Sequence, residues 1–268
     1  MNRFHLITNE TKDPDGSYTG RLAELLRKNG AQSVTSGPNP PADAEAVLVL
    51  GGDGTMLKAS GDLLGRATPL LGINIGNLGY LAESDFDSIE PDIVRLIKGD
   101  YVVEDRMMLW GVINTSGVDS EDHCLNDIVI TGYGALCLIK YEVIVNGSFL
   151  NGYSADGLIV STPTGSTGYN LSAGGPIVEP GASTIVLTPI CPHTLNTRSI
   201  VLRPEDEIVV RIPDTCRSGV AIQFDGRKPQ MIENGDYVTI RRSEKVTRLI
   251  KLGKNSFLIT LHQKLKPM

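Results

Sequence analysis

The stretch Gly51-Gly52-Asp53-Gly54-Thr55 constrains this chain more than any other. An apolar run of β type, Ala46 to Leu50, ends there, and a helix-compatible segment, Thr55 to Leu64, begins, so the loop joins a strand to a helix start. Glycines admit positive φ and expose backbone N–H groups, and the helix that follows adds the positive end of its dipole, so such a turn can hold a phosphate. Asp53 narrows the chemistry. A carboxylate inside a phosphate cradle repels the ligand unless it takes a proton from an attacking hydroxyl or meets the phosphates through a divalent cation. Both exceptions describe a phosphotransferase. The competing reading is a glycine-rich turn in which Asp53 caps the next helix.

The surrounding periodicity places this loop in a sheet. Phe4 to Thr8 reads as a strand, and Tyr18 to Asn29 carries Leu22, Leu25 and Leu26 at helical spacing before stopping at Gly30. Gln32 to Thr35 is a second short strand, Gly37 to Pro41 is loop, and Val47 to Leu50 feeds the glycine turn. Pro69 to Ile75 is a further apolar strand, ending in Gly76-Asn77-Leu78-Gly79-Tyr80-Leu81, and a helix follows with Ile89, Ile93, Leu96 and Ile97 on one side. Strands alternating with helices imply a parallel sheet that binds ligands at the carboxyl ends of its strands, where both glycine turns lie. Beyond about Asp100 strand-like alternation takes over. Asn146-Gly147 suits a type I′ hairpin turn, and short strands continue through Ile185–Thr188, Glu207–Ile212, Ala221–Phe224 and Tyr237–Arg241. The expected fold class is an α/β N-terminal domain with a parallel sheet, over 1–103, plus a mostly β C-terminal domain over 104–253. Residues 254–268, strand-like from Ser256 to Leu261, form a segment that can return to the first domain.

A chain of 268 residues with 41% hydrophobic residues can bury the core of two such domains. Its net charge of −6, with no Lys/Arg block, speaks against nucleic acid as a partner. Arg241, Arg242, Lys245, Arg248 and Lys251 alternate with other residues and read as the wet face of strands. Cys124, Cys137, Cys191 and Cys216 show no C-x-x-C spacing and no zinc-type pairing with histidine, which fits a reduced, cytoplasmic protein and no bound structural metal. No apolar run reaches the length of a membrane span, so no membrane partner is expected. His193 reads as a packed or loop histidine, and Met107 and Trp110 as core.

The chain has no G-x-x-x-x-G-K-[ST] phosphate loop, and Leu57 stands where a G-x-G-x-x-G fingerprint needs its third glycine. A second polar constellation runs from Asp156 to Ser172, where a strand gives way to Thr162-Pro163-Thr164-Gly165-Ser166-Thr167-Gly168-Tyr169 and a helix. Five Ser/Thr hydroxyls within seven residues can meet sugar hydroxyls and phosphate oxygens; they can equally cap a helix.

These segments together carry a resemblance. Gly51-Gly52-Asp53-Gly54-Thr55 resembles the loop shared by NAD kinases, lipid kinases of the diacylglycerol and sphingosine type and, in a variant, phosphofructokinases. Residues 162–169 resemble the TPTGSTAY segment of NAD kinases, which the other two groups do not share. Gly76 to Leu81, Leu125-Asn126-Asp127 and Leu187 to His193 are similar to that family's G-x-L-G-F-L, L-N-E and L-T-P-x-x-P-H. The likeness extends from Val47 to Arg227, and the chain is identified by it as a member of the NAD kinases. It implies transfer of the γ-phosphoryl group of ATP to the 2′-hydroxyl of the adenosine ribose of NAD, giving NADP, with Mg²⁺ or another divalent cation as cofactor and a homo-oligomer, dimer or tetramer, as the assembly. A lipid kinase and a non-catalytic dinucleotide-binding sensor are the alternatives.

The resemblance also assigns residues. Asp53 is implied as the base and as an NAD contact, with Gly54 beside it and Lys58 further along the helix. Gly51, Gly52, Gly54 and Thr55 face the ATP phosphates. Asn126 and Asp127 bind the adenosine, Thr164, Thr167, Gly168, Tyr169, Asn170, Leu171 and Ser172 line the adenine and ribose pocket, and Thr184 belongs to the same set. Asp156 meets the nicotinamide amide or a neighbouring subunit's ligand, Tyr80 lies near the nicotinamide, and Ser154 and Arg227 occupy positions where the family varies. Four positions depart from the family pattern: Tyr80 for Phe, Asp127 for Glu, Gly168 for Ala and Thr184 for Ala.

Overall fold

In the computed structural model the described residues are all but 36, 38–39, 77–78, 135–137, 194–196, 217, 254–255 and 266–268. Asn77, Leu78 and Cys137 therefore lie outside them. The chain forms two units, Met1–Arg106 with Val246–Met268, and Met107–Lys245.

The first unit begins with strand β1 (Arg3–Thr8), helix α1 (Ser17–Lys28), β2 (Gln32–Val34), β3 (Ala46–Gly51), α2 (Asp53–Asp62), β4 (Leu70–Asn74), the two-residue β5 (Ser84–Asp85) and α3 (Glu90–Lys98). β1 pairs in parallel with both β2 and β3, and β3 in parallel with β4. Every residue of β3 is buried, as a central parallel strand covered on both faces requires. Phe4, Leu6, Leu48, Leu50, Leu71 and Ile73 meet Leu22 and Leu26 of α1 and Ile93 and Leu96 of α3 in one core. α3 ends at Gly99 in the left-handed region, the usual stop for a helix in need of φ above zero.

The second unit takes in β6 (Val102–Thr115) from Met107 onward, then β7 (Val118–Cys124), β8 (Asp127–Tyr133), β9 (Ile139–Val145), β10 (Ser148–Ala155) and β11 (Gly157–Ser161). A 3₁₀ turn at Thr164–Thr167 and the short α4 (Tyr169–Ser172) come next. The remaining strands are β12 (Ile185–Ile190), β13 (Ile200–Leu202), β14 (Ile208–Arg211), β15 (Gly219–Phe224), β16 (Gln230–Ile232) and β17 (Tyr237–Lys251), which carries the chain back into the first unit. One antiparallel sheet has the order β13-β12-β11-β8-β15-β16. Its inward residues Ile128, Ile130, Leu158, Val160 and Ile222 join Tyr141, Val143, Ile208, Val210 and Ile240 in a common core. The β9–β10 hairpin turns at Asn146 (φ 50) and Gly147 (φ 75), the two positive φ values of a type I′ turn.

The fold is thus a largely parallel α/β sheet followed by an antiparallel β part, as expected. Two local expectations fail. Ser256 to Leu261 is not a strand: helix α5 occupies Phe257–Leu265. Phe257 and Lys264, two helical turns apart, both reach Tyr80, the ring of Phe257 with a centroid separation of 6.3 Å and Lys264 Nζ 5.2 Å from the Tyr80 centroid, and that shared partner overrides the β propensity of Phe-Leu-Ile-Thr. Trp110 is only half buried, its indole N–H donating to Glu121 Oε2 at 3.1 Å, whereas Met107 is core as expected.

Candidate functional site

In the first unit the glycine turn follows β3 directly. Gly51 is packed so closely that a side chain there would strike Thr55, and Gly52, extended at φ −117, precedes α2. Asp53 is the first residue of that helix, and its carboxylate turns away from the helix N–H groups to another loop. Its Oδ2 accepts the Tyr80 N–H and its Oδ1 the Leu81 N–H, both at 2.9 Å. Gly79 is what lets the two loops meet, because a Cβ there would occupy the place of the Asp53 carboxylate. The two glycine motifs are therefore one construction, in which the backbone of 79–81 fixes the orientation of an acidic group beside an exposed turn. Burial, and secondarily the Asp53 charge, raise the Tyr80 hydroxyl above its ordinary pKa, so Tyr80 is neutral at physiological pH. Gly54 is open, since a Cβ on it would meet nothing within 4 Å, and Thr55 Oγ1 accepts from Asn9 Nδ2 at 3.2 Å. Lys58 faces a cleft of about 550 Å³ shared with Thr8, Asp13, Thr19 and Asp62, which does not include the glycine turn.

In the second unit the loop 125–127 and the segment 162–168 are locked together. Thr162 N–H donates to Asn126 O at 2.8 Å, Thr162 Oγ1 to Leu125 O at 2.6 Å, and the Gly165 N–H to Thr162 Oγ1 at 3.1 Å. Gly165 lies so close to the Asn126 backbone that no Cβ fits. Most of the hydroxyls are thus committed internally: Ser161 donates to Thr162 O, and Ser166 both donates to Val178 O and accepts its N–H. Thr167 keeps only a 3.4 Å bond to Thr164 O. Asn170 is fully buried, with Nδ2 donating to Ser166 O and Pro176 O and Oδ1 accepting from Thr188, so its side chain holds the segment together. Tyr169 and Ser172 are exposed and Leu171 half exposed at the surface of the same turn.

Asp225, which sequence reasoning missed, anchors the loop. Its carboxylate accepts the N–H groups of Leu125 (2.8 Å), Asn126 (2.7 Å) and Asp127 (3.2 Å), while its own N–H donates to Asp127 O. The Asp225-Gly226 pair, both at positive φ, was the available signal, a turn dipeptide placed to bring a carboxylate back onto a loop. Burial raises the Asp225 carboxyl against the opposing pull of the three N–H donors and Arg227. Burial, then the Asp225 charge, push Asp127 up to about 7. Two side-chain acceptors stand out among the expected site residues: Asn126 Oδ1 and Thr184 Oγ1 are buried without a hydrogen-bond partner. Asp156 is half buried and tied through its backbone to Gly132 and Ile190, and the Ser154 carbonyl accepts the N–H of His193, an exposed loop residue. Arg227 is turned to Asp122, His123 O and Phe224 O.

An acidic glycine turn at a parallel strand end, its carboxylate oriented by a second loop, has the chemistry of a phosphotransferase; the β unit, by itself, carries unpaired buried acceptors. Residues 10–101 match the family model described as the ATP-NAD kinase N-terminal domain and residues 125–252 the ATP-NAD kinase C-terminal domain. An NAD kinase of Lachnospira eligens is 41% identical over 293 residues, covering 99% of this chain and 100% of that protein, and one of Lachnoclostridium phytofermentans is 37% identical, covering 98% and 99%. Among solved structures, an NAD kinase from Archaeoglobus fulgidus in complex with ATP aligns with a TM-score of 0.80 at 26% identity over 94% of each chain. Yeast NADH kinase complexed with NADH shares the fold, with a TM-score of 0.84 at 23% identity over 99% of this chain and 87% of that one. This chain belongs to the NAD kinase family. It is an ATP-binding kinase that phosphorylates NAD to NADP. Among the described residues no helix is long and apolar enough to cross a membrane.

Proposed function

We propose that the chain transfers the γ-phosphoryl group of ATP to the 2′-hydroxyl of the adenosine ribose of NAD, with Asp53 accepting the hydroxyl proton. The observation that carries the acceptor assignment is Asn126 Oδ1, buried and unpaired beside Asp127. An orphaned acceptor costs about 1–3 kcal/mol, and a ligand donor that fills it recovers that cost. The ribose hydroxyls and the adenine amino group of NAD are such donors. Asn126 and Asp127 then hold the adenosine, Thr184 adds a second unpaired acceptor, and Thr164, Thr167, Tyr169 and Ser172 line the pocket. Gly168, Asn170 and Leu171 shape it, Asn170 through its internal bonds. Asp156 and Tyr80 serve the nicotinamide half, Ser154, Arg227 and Lys58 are further NAD contacts, and Gly54 flanks the base.

Asp53 suits proton abstraction because two backbone N–H groups fix its carboxylate, which limits the reorganisation needed at the moment of transfer. Gly51, Gly52, Gly54 and Thr55 offer the donor phosphates an open turn. Among the described residues no group of three His, Cys, Asp or Glu side chains could hold a metal by itself. Mg²⁺ bound chiefly to substrate phosphates needs few ligands from the protein. The ion would supply neutralisation of the triphosphate charge. Assembly as a homodimer or homotetramer in the cytoplasm completes the reading; light scattering after size exclusion reads the assembly.

The test of the reaction is a donor and acceptor screen. NAD with ATP should yield NADP, and 2′-deoxy-NAD should compete with NAD yet never be phosphorylated. Phosphate transferred to that analogue would refute transfer to the 2′ position.

A further inference from the structure

The carboxyl ends of β1, β3 and β4 lie side by side in the parallel sheet, and each continues into a loop at the same edge. The loop after β1 is pinned at both ends. Asn9 N–H donates to Leu50 O at 3.0 Å and Asn9 Nδ2 to Thr55 Oγ1, which fastens this loop to the glycine turn. Asn9 Oδ1 accepts the N–H groups of Thr11 and Lys12, and Asn9 O those of Lys12 and Asp13. At the other end the buried Asp13 carboxylate accepts Tyr18 N–H, Thr19 N–H and Thr19 Oγ1–H at the start of α1.

Between these anchors Lys12 reaches over the glycine turn. Its Nζ lies 3.4 Å from where a Cβ on Gly52 would stand and 3.2 Å from where one on Gly76 would stand. The ammonium is therefore suspended between the turn after β3 and the turn after β4. No ion pair joins Lys12 to another described residue, and the Asp53 carboxylate accepts the N–H groups of Tyr80 and Leu81. Asn74, 5% exposed, is part of the same strand-end cluster; its Nδ2 donates to Gly76 O and its Oδ1 has no partner. A cation held over the glycine turn, in no ion pair with another described residue, is placed for an anion that arrives from outside. The sequence lacks the lysine of a Walker loop, which in that motif reaches the β- and γ-phosphates from the helix following the turn.

We infer that Lys12 is the cation that holds the γ-phosphoryl group of ATP over the Gly51–Thr55 turn, doing from the loop after β1 what the Walker lysine does elsewhere. The inference rests on the reading of this turn as the ATP phosphate site. A lysine there balances the charge on the group being transferred and orients it, and its effect is confined to the donor.

Steady-state kinetics with ATP and NAD varied separately, and equilibrium binding of AMP, ADP and ATP, are measured for the full chain and for Lys12→Ala, Lys12→Arg and Gly52→Val. Lys12→Ala should lower kcat/KM for ATP by about 10- to 150-fold, the range of one charge-assisted hydrogen bond, with KM for NAD and AMP binding unchanged. The preference for ATP over ADP should fall with it. Lys12→Arg should stay within about tenfold of the parent, because the charge is kept while its geometry changes. Gly52→Val fills the turn and should also raise KM for ATP. If Gly52→Val impairs ATP use and Lys12→Ala does not, the role of Lys12 is overturned while the turn keeps its assignment. If neither variant affects ATP, the assignment of the turn itself fails. A Lys12→Ala defect in KM for NAD, or an equal loss of AMP binding, also overturns the inference.

Discussion

Replacing Asp127 by Asn separates what this buried carboxylate costs the fold from what it gives the ligand. Burial, and then the Asp225 charge, raise its pKa from 3.8 to about 7. A group whose folded pKa exceeds its unfolded value holds its proton more tightly when folded. Its stabilising contribution is complete below the unfolded pKa and is lost as pH rises through the folded one. At 1.36 kcal/mol per pKa unit, the gap between 3.8 and about 7 makes Asp127 cost roughly 0.6 kcal/mol at pH 4, 1.7 at pH 5 and 4 at pH 8. Asparagine has no charge to bury at any of these pH values. An amide lacking partners adds a cost of its own, but one that does not vary with pH, so the slope is the readout. The stability of Asp127→Asn relative to the parent should therefore improve by about 3.5 kcal/mol between pH 4 and pH 8, measured by urea or thermal unfolding across that range. Binding should move the other way: NAD affinity of the parent should rise as pH climbs through about 7, where the ionised carboxylate becomes the better acceptor, and the variant should show no such rise. A stability difference flat with pH would refute the buried, proton-retaining state of Asp127. NAD affinity with the same pH profile in both proteins would remove Asp127 from the ligand site.

Asp53→Asn keeps one acceptor oxygen but sets an amide N–H₂ against the N–H of Tyr80 or Leu81, so it should lower kcat by roughly 10² to 10⁴ and loosen the 79–81 turn, visible as faster amide exchange there. A loss below tenfold would make Asp53 a positioning group. Gly165→Ala places a Cβ into the Asn126 backbone and should destabilise the chain by more than about 2 kcal/mol or displace the 125–127 loop; an unchanged Tm and KM for NAD would contradict the packing. Gly168→Ala, by contrast, meets Gly165 O at 3.2 Å and Asn126 Nδ2 at 3.4 Å, contacts that a shift of a few tenths of an ångström relieves. Its stability should fall by less than about 2 kcal/mol, clearly less than that of Gly165→Ala, with KM for NAD changed less than tenfold.

The sequence by itself determined the parts that depend on local chemistry. The Ala46–Leu50 run and the glycines after it dictate a buried strand and an open turn, and strand β3 and helix α2 follow. Asn146-Gly147 dictates a tight hairpin because these residues tolerate positive φ, and both adopt it. The motif order and spacing carried the family. What needed the tertiary structure is whatever depends on residues distant along the chain. Whether a hydroxyl in 161–167 faces a ligand or its own backbone is set by the arrival of Asn126 and Val178, and most of them face inward. Asp225 fixes the loop 125–127 by accepting three N–H groups across about a hundred residues of sequence, which no local spacing shows. Lys12 carried no pattern at all. Its position over Gly52 and Gly76 exists only because a parallel sheet brings the ends of β1, β3 and β4 to one edge. Ser256 to Leu261 shows the converse: short apolar segments have no strong intrinsic preference, and the contact with Tyr80 decided for a helix. Residue type and local spacing set the chemistry on offer, and pairing across the sheet decided which of those groups were left unsatisfied to use it.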